Sequence, residues 1–336
     1  MPSFYTHKKT YNDSEVLLTK QTRNTLPNFS NNKLLLGHDS LLFPAIGNYI
    51  INKNPSQNKC IMLGHNNLPL FVANYIKIAK NTGAIEDENI RLYIIGYIAH
   101  HITDAYLHPL ITHYGGGKDN YLPTKNQKRW LHGIIETSLD AYLIRKYENV
   151  DPLKFKIFDN FDFKGQISPN LKDILNNAGL YTYDLPDIGN KLLALMNVNI
   201  KYLKIYLRAF HYDPKGRKIK LYNLVDDLTK SGCSFFSNYV DYRNMDAFLN
   251  NKNNEWPNPF DQSIISNKSM LELLRDATIE IGRITNELEK INQKSTHNND
   301  DIFQVVPNIS AITGLEGGTP LTITTDKRKI LLNQFK

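Results

Sequence analysis

The chain has 336 residues, of which 41% are hydrophobic and 22% charged, with 19 Tyr and 15 Phe. That is ample apolar and aromatic material for a buried core, and it argues against disorder over most of the length. The net charge of +7 suits an anionic partner such as nucleic acid, a phospholipid surface or a phosphate ester, yet Lys is spread evenly, without a dense basic block, and such a spread needs no partner to explain it.

The opening, MPSFYTH, carries His7 and no apolar run after a basic start, so no secretory signal is read there. No apolar stretch approaches the roughly 18 residues of a membrane span. The expected compartment is the cytoplasm, with secretion as the alternative. Two cysteines, Cys60 and Cys233, form no CxxC pair, which excludes a cysteine-built zinc site and a disulfide framework.

Residues 1–292 read as mostly helical. Near the start, LLLGHDSLLF places His38 and Asp39 after an apolar run and a Gly, and LGHNN places His65 after another. Helical periodicity predicts helices over Ile90–Leu107, Lys128–Lys146, Lys191–Phe210, Leu221–Tyr239 and Ser269–Ile291. Polar, Gly- and Pro-bearing stretches at Gly115–Lys128, Phe161–Asn190 and Asn250–Ser263 read as loops. Gln293–Asp301 reads as a linker, and Ile302–Lys336 as a short non-helical tail of unknown role, with alternating residues near Leu321–Thr325. The expected organisation is thus an all-α, multi-helix domain over 1–292, followed by a linker and tail over 293–336.

Eight of the ten histidines lie between residues 7 and 132. In GYIAHHITDAYLHP, His100, Asp104 and His108 recur at i, i+4, i+8, which puts three candidate ligands along one helix face among Ile, Ala and Leu. An unpaired Asp there would cost several kcal/mol, and a metal ion removes that cost. In HGIIETSLDAYL, His132, Glu136 and Asp140 repeat the spacing. Two such stripes on facing helices are how helical bundles cage metal ions. A single histidine on an apolar face is more often an ordinary core residue, and His211 and His297, outside both stripes, are read that way. His101 lies about 100° around the helix from His100 and reads as structural or as a support for the ligands.

Together these elements resemble the bacterial zinc-dependent phospholipase C family, whose wider superfamily includes zinc nucleases of single-stranded nucleic acid. The resemblance covers roughly residues 1–290 and rests on the order His7, Asp39, His65, His100 with Asp104, His108, then His132 with Glu136; the stretches MPSFYTH, GHDSLLF and TDAYLHPLI carry it further. It implies the helical fold of that family and two to three Zn2+ ions. Asp39, His65, His100 and Asp104 would hold one, and His108, His132 and Glu136 a second. His7, a bridging Asp104 and the amine of Pro2, freed by excision of Met1, would hold the third. Only three residues separate Asp104 from His108, fewer than in well-known members, but i+4 keeps both on one side of a helix.

The implied activity is phosphodiester hydrolysis by a zinc-activated water, with Asp39 as the residue that orients or deprotonates that water. A phospholipid, met at a membrane surface, is the expected substrate. The alternatives are a single-strand nuclease or 3′-nucleotidase with the same metals, and a non-catalytic zinc-binding helical protein. An HD-type phosphohydrolase would need its His and Asp in a different helical order.

Overall fold

The computed structural model describes residues 4–31, 67–115, 131–152, 155, 168–184, 187, 189–190, 245–294 and 298–317; for residues 4, 131–134 and 137 it describes the backbone alone. The described residues are mostly helical, with nine α-helices and one two-stranded sheet. None of the described helices is long and apolar enough to cross a membrane.

The central element is α4, Glu88–Tyr114, a 27-residue helix capped by the Asp87 side chain, which accepts from Asn89 N–H. It is apolar almost all round, and a helix of that kind belongs inside. Accordingly it is buried from Ile90 through Thr112 on nearly every face. The helix runs further than Ile90–Leu107, passing through Pro109. A proline there has no N–H to give to the carbonyl four residues back, so Ala105 O is released from the helix ladder.

Four of the described helices lie against it. The first, α1 (Phe4–Ser14), crosses α4, and a buried hydroxyl pair, Thr10 Oγ1 and Thr103 Oγ1 at 2.8 Å, joins the two. A short helix, α2, covers Lys20–Thr25, and α3 covers Leu68–Asn81. The helix α5 (Leu131–Leu143) runs on into a π-helical turn over Ile144–Glu148, which together occupy most of the expected Lys128–Lys146 helix. In α8, Met270–Gln293, the apolar positions Leu274, Ala277, Ile281, Ile284, Leu288 and Ile291 recur at three and four and face α4 and α1. Its start is a capping box in which Ser269 and Glu272 satisfy each other's backbone N–H groups.

The structure departs from the sequence reading in three places. The expected loop 161–190 contains α6, Pro169–Tyr183, with Ser168 capping Leu171 N–H and Pro169 in the first turn. It packs on α3 through Phe71, which stacks with Tyr183 and Tyr97. Beyond a one-turn helix, α7 (Asp246–Leu249), the expected loop 250–263 holds an antiparallel hairpin, β1 (Trp256–Asn258) with β2 (Asp261–Ser266), so the fold is not wholly helical. Finally, the expected linker runs into a short helix, α9, Asn299–Val305, capped by Asn298. The predicted helices Lys191–Phe210 and Leu221–Tyr239, the alternating segment near Leu321–Thr325, and both cysteines lie outside the described residues.

After α9 the chain folds back. Ile302, Val306, Ala311 and Ile312 are buried. Residues 308–317 close a turn through Ser310 N–H to Leu315 O and Gly317 N–H to Asn308 O. This turn lies against α4, where Ile309 O is 2.8 Å from His101 Nε2.

Candidate metal centre

One stripe of α4 and one residue of α1 meet at Asp104. His7 Nε2 lies 3.0 Å from Asp104 Oδ1 and His100 Nε2 lies 3.1 Å from Oδ2. The two imidazoles also meet each other, Nδ1 to Nδ1 at 3.1 Å. All three residues are buried, and their donor atoms lie within 4.8 Å of one another, close enough to share one metal ion. The i, i+4 spacing of His100 and Asp104 puts both on one side of α4, and α1 brings His7 across to complete the group.

The stripe continues into a second set. His108 Nε2 is 3.4 Å from Asp104 Oδ1 and 3.1 Å from Glu136 Oε1, so α5 contributes a second buried carboxylate. Asp104 thus stands among three imidazoles. Burial works to raise its carboxyl, but the charges of His108, His100 and His7 and the hydrogen bond from His100 hold it well below the usual carboxylate range.

The protonation pattern of the metal-free group shows that it fits a cation. An ionised carboxylate only accepts. The contacts of His7 Nε2 and His100 Nε2 with Asp104, and the contact between the two Nδ1 atoms, each call for one proton. Two neutral rings carry only two. An added positive charge, whether a proton or a metal ion, makes up the difference. Among the described residues the donors are imidazole nitrogen and carboxylate oxygen, a set suited to zinc and to other divalent transition metals.

The remaining residues of the sequence reading fall as follows. Asp39, His65 and Pro2 lie outside the described residues, and His132 lies on α5 at a position where only the backbone is described. His101 is fully buried and donates from Nε2 to Ile309 O at 2.8 Å, on the side of α4 toward the C-terminal turn. His113 sits at the end of α4 beside Tyr114 and Trp256, where burial lowers its pKa.

Asp140, the last member of the second stripe, takes a different part. Its Oδ2 accepts from Tyr5 N–H at 3.0 Å, and its Oδ1 accepts from Thr6 N–H at 2.9 Å and from the Thr6 hydroxyl at 2.6 Å. It therefore caps the N-terminus of α1 from α5 and sets the position of His7 one residue further on. Burial pushes its carboxyl up to about 7, against the pull of the three donors and of His7. Asp140→Ala would leave two buried N–H groups and a hydroxyl without that acceptor. Each such loss costs about 1–3 kcal/mol. The expected outcome is a stability loss of at least about 2 kcal/mol in urea denaturation, with weaker metal retention as α1 loosens; an unchanged midpoint would show that Asp140 does not anchor α1.

A cleft lined by Thr25, Lys80, Arg91 and Glu289 shares no residue with this centre. Its cations hold the fold: Lys80 Nζ donates to Ile291 O and Lys294 O, and Arg91 to Ile85 O and Thr25 O.

In comparisons with known proteins, the chain matches no family model, no curated protein and no solved structure.

Proposed function

We propose that the protein is a zinc-dependent phosphodiester hydrolase, acting on a phospholipid in the manner of a phospholipase C. The observation that carries this reading is the position of Asp104, a buried carboxylate within 3.4 Å of three imidazole nitrogens, those of His7, His100 and His108. Surface ion pairs do not assemble in this way. Three imidazoles and a carboxylate in an apolar interior call for one added positive charge, which a metal ion would supply.

In this reading His100, Asp104, Asp39 and His65 hold one zinc, His108, Glu136 and His132 a second, and His7 with Asp104 and the Pro2 amine a third. Bound zinc supplies a Lewis acid for the phosphoryl oxygens and brings the pKa of a ligated water to near 7. The chain's own residues do the rest. Asp104 uses both carboxylate oxygens to hold neighbouring ligands in register, Glu136 brings a second negative charge to His108, and Asp39 orients the attacking water or accepts its proton. The net charge of +7 favours approach of an anionic phosphodiester.

A substrate panel tests the reading: phosphatidylcholine, a chromogenic phosphodiester and single-stranded DNA, each with added zinc and with chelator. Chelator-sensitive release of a phosphorylated head group from phosphatidylcholine is the expected result. Cleavage of DNA alone would move the assignment to the nuclease branch, and no chelator-sensitive turnover of any of the three would remove the enzyme reading.

A further inference from the structure

The turn at residues 308–317 contributes no side chain to the centre, yet it holds two of the histidines of α4. His101 Nε2 donates to Ile309 O at 2.8 Å, and His108 Nδ1 donates to Ala311 O at 2.6 Å. Helix geometry explains how one ring serves two purposes. At about 100° per residue, the stripe His100, Asp104, His108 drifts by about 40° at each step. By His108 it has turned about 80° away from His100, and lies only about 20° from His101. His108 therefore stands where the metal-facing stripe meets the face covered by the turn.

We propose that this turn is a positioning element of the metal centre, fixing the ring orientation and tautomer of His108 so that Nε2 is the nitrogen offered to a metal. The chemistry requires it: a backbone carbonyl can only accept, so Nδ1 carries a proton, and Nε2, on the side of Asp104 and Glu136, is the nitrogen left for a metal to take. Imidazole ligands commonly give their second N–H to such a carbonyl, which sets the ring and raises its basicity. The inference rests on the metal-centre reading and adds to it a part of the chain that supplies no ligand.

The turn is built to stay in place. Ser310 Oγ accepts from Ile312 N–H and Thr313 N–H at 3.3 Å each, closing the loop on itself, and Asn258 of the hairpin donates to Thr313 O at 2.9 Å. Gly314 has φ +65, and a Cβ there would meet Ala105 O at 2.6 Å and Pro109 Cγ at 2.8 Å. The turn thus seats its glycine against the carbonyl that Pro109 releases from the helix ladder. A side chain at 314 would have to push the turn off α4, taking Ala311 O away from His108.

The test compares zinc affinity, by competition with a chelating dye, in four proteins: the full chain, the chain ended after Pro307, full-length Gly314→Ala, and full-length Ile302→Ala. Ile302 is buried in α9 and outside the turn, so its variant measures the effect of lost stability alone. Nitrogen NMR of the zinc-loaded proteins reads which His108 nitrogen keeps its proton. The expected result is a 10- to 100-fold loss of affinity in the Pro307 and Gly314→Ala proteins, with loss of the Nδ1–H signature, and affinity within about twofold of the full chain for Ile302→Ala. Should the shortened chain not fold, Gly314→Ala decides the matter at intact length. A full chain that binds zinc while Gly314→Ala keeps both its affinity and its Nδ1–H tautomer would overturn this inference and leave the metal centre standing. A full chain that takes up no zinc would overturn both.

Discussion

Asp104→Asn is expected to strip at least one zinc ion from the protein and abolish hydrolysis while the helices stay folded. The substitution keeps the shape and removes the charge. One of the two oxygens that face His7 and His100 at 3.0 and 3.1 Å becomes an amide nitrogen, a donor where imidazole N–H groups or a metal require an acceptor. Because Asp104 touches three histidines, the loss spreads across the centre, and affinity should fall by more than the roughly 10–100-fold of a supporting residue. Circular dichroism should show the same helix content. Arg275→Ala, a change at a side chain 69% exposed, should bind zinc as the parent does. Equal behaviour of the two variants would show that Asp104 is not at the centre.

Ending the chain after Asn292 is expected to have an effect of similar size by another route. The polar run 293–301 invites the expectation that such a cut leaves a folded, zinc-loaded domain, since every proposed ligand lies earlier. The burial of residues beyond the cut points the other way. Ile302, Val306 and Ile312 are each no more than 2% exposed, and burying a side chain of this kind is worth about 1.5–3 kcal/mol. Their removal takes away about 6 kcal/mol, a large part of the 5–15 kcal/mol that separates an ordinary domain from its unfolded state. The cut also removes the carbonyls that receive His101 and His108. A marked fall in the urea midpoint together with zinc loss is expected; an unchanged midpoint with full zinc would show that α9 and the turn are dispensable.

The sequence carried the parts of this site that periodicity can carry. His100, Asp104 and His108 announce themselves because i, i+4, i+8 is one face of a helix, and the apolar residues between them say that the face is buried. His7 has no such signature; only the resemblance drew attention to it, and the residue that places it, Asp140, is 134 positions from its partner Thr6. Spacing put Asp140 in line with Glu136, but could not show that its carboxylate would turn to the end of another helix. The clamp on His108 was beyond reach for a simpler reason. Its acceptors are backbone carbonyls, which every residue has and no side chain reveals.

The same contrast runs through the fold. The helices α4 and α8 were legible because their apolar periodicity is long and, in α8, capped by Ser269 and Glu272. The helix α6 is hard to see because NLKDILNNAGLYTY carries three Asn and a Gly, although Ser168 followed by Pro169 is a helix-start signal. The hairpin at Trp256–Ser266 was hidden by Pro257 and by a bulge between Pro257 and Asn258 that breaks strict alternation. The resemblance to zinc-dependent phospholipases C remains the origin of the substrate proposal, whereas the histidines around Asp104 stand on geometry alone.

Metal content decides whether the cluster around Asp104 is a metal centre. Protein purified without chelator should hold two to three zinc ions per chain by elemental analysis, fewer after Asp104→Asn. Less than one ion per chain in the parent protein would contradict the account.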